Sequence, residues 1–185
     1  MADNEFGYTK WGRDWVRLAE PLRVTKPESL LPRARLIARN GGVQTEIEGA
    51  TVRARIHRGA QASVTYLEVA PLPAATIVAI AALIPPGTIQ LDDEQHAALT
   101  AADLTVIPRL TAIDCSCPAR TERCLHVLAT YYDLARRVDE NPWLALDLQA
   151  YRSTPHVAVN SPDAPPPRWT PLDALDPATY FGSAH

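Results

Sequence analysis

The chain has 185 residues, enough for one ordinary domain with an appendage. Apolar residues make up 46% and charged residues 21%, the balance of a soluble globular protein, and the longest apolar stretch, "PLPAATIVAIAALIPP", is too short to span a bilayer. A net charge of −3 excludes a uniformly basic nucleic-acid binder, although Arg33, Arg35, Arg39, Arg53, Arg55 and Arg58 meet only Glu46 and Glu48 between residues 33 and 58.

The start, "MADNEFGYTKWGRDW", is charged throughout and has no apolar signal core, which points to the cytoplasm and to reduced cysteines. In "KWGRDWVRLAEPL", Trp11, Trp15 and Leu18 or Ala19 recur at helical spacing, so a short helix is expected to dock on the core and to stop before Pro21. Residues 33–70 read as a β-meander. "RARLIAR" and "GVQTEIE" flank Asn40-Gly41, a hairpin signal, and "TVRARIHR" then alternates buried Val52, Ala54 and Ile56 with wet Arg53, Arg55 and His57. "AATIVAIAALI" predicts a buried helix ending at Pro85-Pro86-Gly87. "DDEQHAALTAADL" predicts a second helix with Asp92, Asp93 and Glu94 at its positive end. "LTVIP" and "LTAIDCSC" read as two short strands around Pro108-Arg109. "CLHVLATYYDLARRV" follows as an amphipathic helix with one of Tyr131 and Tyr132 in the core, and "NPWLALDLQAYR" as a short helical piece. His57, His96, His156 and His185 read as surface residues. From Ser153 prolines dominate, and an extended linker leads to a tail with Trp169, Tyr180 and Phe181. The expected divisions are 1–108, an N-terminal α+β region; 109–152, a metal finger with its following helix; and 153–185, the proline-rich tail. The fold class is α+β, a small antiparallel meander with helices plus a ββα finger.

All three cysteines fall within "CSCPARTERCLH", residues 115–126. Cys115 and Cys117 are two apart, so on a strand both thiols point to one face. Cys124 and His126 repeat that spacing at the mouth of a helix, with a six-residue polar loop between the pairs. Four soft or borderline ligands converge, which suits a tetrahedral Zn²⁺ in a Cys₃His sphere. Such a sphere leaves no open position for water, so the metal is expected to be structural. A disulfide would strain Cys115-x-Cys117 and leave one thiol over. A Cys–His nucleophile pair would leave two thiols without a role. No paired carboxylates or serine nucleophile elbow is present, so neither an enzyme nor a small-molecule substrate is expected.

The C-x-C, spacer, C-x-H pattern opening an amphipathic helix resembles the SWIM zinc finger, found in Swi/Snf-type ATPases and MuDR transposases. "FGYTKWGRDWVRLAE", "RARLIARNGG", "CLHVLATYYDLARRVDENPWLAL" and "DPATYFG" are similar to stretches of bacterial SWIM proteins of high-GC Gram-positive organisms. The resemblance implies Cys115, Cys117, Cys124 and His126 as ligands, binding to DNA or partner proteins, and association with a Swi/Snf-type helicase. On that footing the leading expectation is a non-enzymatic zinc adaptor that binds nucleic acid, DNA above RNA, through Arg53, Arg55, Arg120, Arg123, Arg136 and Arg137. The alternative is a protein–protein interaction module with a purely structural zinc and no nucleic-acid contact. Residues 109–137 carry five arginines against Asp114, Glu122 and Asp133, a modest excess for a protein holding DNA alone.

Overall fold

The computed structural model describes residues 5–23, 28–58, 61–119 and 121–152. Residues up to Thr154 and those from Pro155 onward form separate units, and the described residues all lie in the first. The tail with Trp169, Tyr180 and Phe181 lies outside them, as do Arg120, His156 and His185. Among the described residues ten elements follow one another: α1 (Lys10–Ala19), α2 (Leu31–Arg39), β1 (Val43–Glu48), β2 (Thr51–Arg58), β3 (Gln61–Val69), α3 (Ala74–Leu83), α4 (Asp93–Ala101), β4 (Leu110–Cys115), α5 (Leu125–Glu140) and α6 (Trp143–Asp147). The class is α+β, with one antiparallel sheet in the order β1-β2-β3-β4.

The meander begins later than expected. "RARLIAR" is not a strand but most of α2, because Ala34 and Ala38 sit four apart on one face and are buried there. Pro32 stands in the first turn, where its missing N–H costs nothing. Asn40-Gly41 therefore ends a helix and does not turn a hairpin. The Gly42 N–H bonds the Ile37 carbonyl (2.9 Å) and the Gly41 N–H the Ala38 carbonyl (3.2 Å), with Gly41 at φ +68°. These are the paired bonds of a Schellman motif, and Gly41→Ala is expected to cost roughly 1 kcal/mol in a denaturant melt, since a side chain resists the left-handed conformation.

Within the sheet the alternation holds. Val52, Ala54 and Ile56 are buried, while Arg53, Arg55 and His57 are exposed on the opposite face. Leu67 and Val69 of β3 share the inner face. The fourth strand pairs with β3, Cys115 opposite Thr65 and Asp114 opposite Tyr66. Residues 104–108 form no strand, contrary to the reading of "LTVIP". The Val106 carbonyl is taken by Gln149 Nε2 (2.9 Å), and Pro108 has no N–H to offer a neighbour.

Among the described residues α5 is the element the others pack around. One side packs on the sheet, joined by Thr65 Oγ1 to Thr130 Oγ1 (2.9 Å) and by Thr45 Oγ1 donating to Asp133 Oδ2 (2.7 Å). Its other sides meet α1 and α2. The helix is buried nearly all round, so both Tyr131 and Tyr132 are core residues, not one of the two. Trp11 and Trp15 are also fully buried. α4 holds α1: Trp11 Nε1 donates to the Asp92 carbonyl (2.8 Å) and Lys10 N to Asp93 Oδ1 (2.7 Å). Asp92 caps α4 in a capping box with Gln95. His96 is no surface residue. Its Nε2 sits 2.8 Å from Asp14 Oδ2, and its ring meets Trp11 edge-on. α3 forms where expected but is only partly buried: Ile77 and Ile80 face inward, while Val78 is 67% exposed. Among the described residues no helix is long and apolar enough to cross a membrane.

Candidate metal centre

Two elements deliver the four ligands. Cys115 ends β4 on the inner face, opposite Thr65. Pairing continues one residue further: Ser116 N donates to the Val64 carbonyl (2.9 Å) and Val64 N to Ser116 Oγ (2.9 Å). The chain then bends at Ser116 and Cys117, and Cys117 is buried with its thiol in the same cluster as that of Cys115. The loop returns at Cys124, the N-cap of α5, whose carbonyl accepts from Leu128 N (3.0 Å). His126 stands in the first turn of that helix.

The four ligand atoms lie within 4.8 Å of one another, with Cys115 Sγ 3.9 Å from His126 Nδ1. Bonds of about 2.3 Å to sulfur in a tetrahedron imply sulfur–sulfur edges of about 3.8 Å. The cluster is therefore close to the size one tetrahedral ion needs, and the four side chains could hold one metal ion. All three cysteines are buried and His126 is half-buried. Burial foremost, with the Cys117 and Cys124 thiols beside it, pushes the Cys115 thiol up to about 12. At neutral pH a metal-free site would keep that proton, and an incoming cation must expel it to gain a thiolate ligand.

The described arginines expected around the finger, Arg123, Arg136 and Arg137, each bond other parts of the chain. Arg123 donates through Nη1 to the Leu18 carbonyl (3.2 Å) and through Nη2 to the Ala19 carbonyl (2.7 Å), which caps the end of α1. It does not aim at the thiolates. Arg136 bonds Asp133 Oδ1 (2.7 Å) and Glu140 Oε1 (2.7 Å), and Arg137 bonds Asp133 Oδ2 (2.8 Å). At about 1.5 Å rise per residue, both stand roughly 15 Å along the helix from His126. Arg120 lies outside the described residues. Arg53 and Arg55 are exposed on the outer sheet face, and the strand register puts Glu46, Glu48, Glu68 and Asp114 on that same face. Four carboxylates against two guanidiniums make that face net acidic.

Asp133 is the residue the sequence reading missed. Its side chain is 1% exposed and collects Thr45, Arg136 and Arg137. The signal was present in "DLARR", where a carboxylate precedes two arginines by three and four residues on a helix. No family model matches the sequence, and neither a curated protein nor a solved structure matches it. The cluster of four ligands by itself does not identify a SWIM finger.

Proposed function

We propose that the chain is a non-enzymatic, zinc-binding adaptor whose metal is structural and whose ligand is a partner protein. Three thiolates and one imidazole suit Zn²⁺ above harder cations, and four protein ligands leave no position for a reacting water. Thiolate ligands need a reducing compartment, which the cytoplasm provides. One observation carries the choice of a protein over a nucleic acid. The guanidiniums of Arg123, Arg136 and Arg137 are already engaged by main-chain carbonyls and by Asp133. Each keeps further N–H donors, but Asp133 already offsets the charge of Arg136 and Arg137, which weakens their pull on a phosphate. The resemblance to SWIM proteins fits this reading, since it implies a Swi/Snf-type helicase as the kind of partner.

Nucleic-acid binding stands as the second reading on Arg53 and Arg55, which are exposed and form no ion pair among the described residues. A titration of the zinc-loaded chain with DNA and with RNA, at low and at physiological salt, separates the two. The expected result is no binding at physiological salt and no change on Arg53→Ala/Arg55→Ala. Binding that falls steeply with salt and is lost in that variant would establish the phosphate-binding role instead.

A further inference from the structure

Residues 71–90 hold no ionisable side chain. A helix that is apolar on every side belongs inside a protein, yet within α3 only Ile77 and Ile80 are buried. Ala74, Ala75, Val78, Ala81 and Ala82 recur at helical spacing along its outer side and are all exposed. The apolar surface continues past the helix. Pro85 and Pro86 are exposed, and Ile89 is 94% exposed. Ile89 does not hang on a loose turn: Trp143 Nε1 donates to its carbonyl (3.1 Å), and Thr88 Oγ1 donates to the Pro85 carbonyl (2.7 Å). An apolar side chain is thus held out into water just beyond the C-terminal end of α3.

A groove of about 330 Å³ lies at the other end of the same helix. Pro71, Leu72, Pro73, Leu104 and Ile107 wall it, together with Thr76 of the first turn. Asp103 and Arg109 also line it, one of each sign, so it carries no net charge. It contains none of the metal ligands. At about 3.3 Å per residue, Arg109 stands roughly 20 Å along β4 from Cys115.

A projecting side chain and a groove at opposite ends of one helix fit each other across a two-fold axis. Two copies of α3 lying antiparallel set the C-terminal end of each against the N-terminal end of the other, and each Ile89 then reaches the groove of the other copy. Charge selects the same occupant. The chain carries a net −3, so two copies repel in general. The α3 surface brings no charge to the contact, and its exposed alanines let two helices approach closely.

We propose that α3 is the two-fold interface of a homodimer, with Ile89 of each copy seated against Leu72 and Ile107 of the other. This holds whether the adaptor's ligand is a protein or a nucleic acid.

Sedimentation equilibrium of the zinc-loaded full chain over a concentration series tests it, with amide resonances recorded over the same series. A monomer–dimer equilibrium is expected, with concentration-dependent shifts at Ala75, Val78, Ala82 and Ile89 and, across the contact, at Leu104 and Ile107. Val78→Lys puts two ammonium groups into the apolar joint and is expected to raise the Kd at least tenfold. The site is exposed and lysine is a good helix former, so the fold is expected to hold. Leu22→Lys, at an exposed apolar position outside this surface, is expected to leave the Kd unchanged. Ile89→Asp is expected to remove the shifts at Leu104 and Ile107. A chain that stays monomeric across the series would overturn the proposal. So would a dimer as tight in Val78→Lys as in the wild type, or shifts at Leu104 and Ile107 that survive Ile89→Asp. A monomer whose α3 amides move only on addition of phosphatidylcholine vesicles would overturn it in favour of a lipid surface.

Discussion

Replacing Cys124 with serine in the zinc-loaded protein is expected to lower stability by at least about 4 kcal/mol, since a zinc-finger site supplies on the order of 10–16 kcal/mol of apparent binding energy. For a chain of this length that is a fall of about 10 °C or more in the midpoint of a thermal melt. Chelation of the wild-type metal should do the same. The metal ties down a loop between β4 and α5, at one end of a buried cluster in which Trp11, Trp15, Leu128 and Leu134 keep apolar contacts that need no metal. Most helical signal in circular dichroism is therefore expected to persist at 25 °C. Damage should spread along one route. Arg123 precedes Cys124 and caps the Leu18 and Ala19 carbonyls, so a released loop uncaps α1. Faster amide exchange at Glu20, whose N–H bonds the Val16 carbonyl, would report that coupling. An unchanged melt after complete metal removal would show that the four side chains hold nothing the fold depends on.

Asp139→Ala is expected to cost about 2–6 kcal/mol, since it leaves two main-chain N–H groups without an acceptor at about 1–3 kcal/mol each. Asp139 sits in the last turn of α5, is 5% exposed, and receives Gly7 N (2.6 Å), Thr9 N (2.9 Å) and Thr9 Oγ1 (2.7 Å). Thr9 is in turn the N-cap of α1, accepting from Gly12 N (2.9 Å). One carboxylate thus satisfies the approach to α1 and places negative charge at its positive end. Gly12 is the counterpart. A Cβ there would lie 2.1 Å from Asp139 Oδ1, so Gly12→Ala must push the carboxylate off its donors. Both single variants are expected to destabilise by similar amounts in a denaturant melt, and the double variant by much less than their sum, because each removes the same set of bonds. Full additivity would refute a shared network.

Much of this was legible in the sequence where local chemistry and tertiary context agree. The α1 pattern, the Asp92 cap, the β2 alternation and the four-ligand stretch each carry a local signal, and the described structure contains all of them. α2 was misread because Asn40-Gly41 serves two geometries, a hairpin turn and a helix end, and only the burial of Ala34 and Ala38 against α5 decides between them. The segment 104–108 is not a strand because its Val106 carbonyl meets Gln149, a partner far away in sequence, and its Leu104 N–H bonds the Leu99 carbonyl of α4. The all-round apolar pattern of α3 points to burial, yet the packing of a helix depends on what stands beside it, and only Ile77 and Ile80 within it are buried. The arginines were counted correctly as charges. Their availability was not visible, since it turns on Asp133 and on the end of α1.

The proposed role of the chain depends most on one closed metal sphere. X-ray absorption at the zinc edge of the purified full chain tests that directly. One zinc per chain with three sulfurs at about 2.3 Å, one nitrogen at about 2.0–2.1 Å and no oxygen is the expected result. An oxygen in the first sphere, or a zinc content far below one per chain, would contradict it, and the metal would then be open to chemistry or absent from the fold.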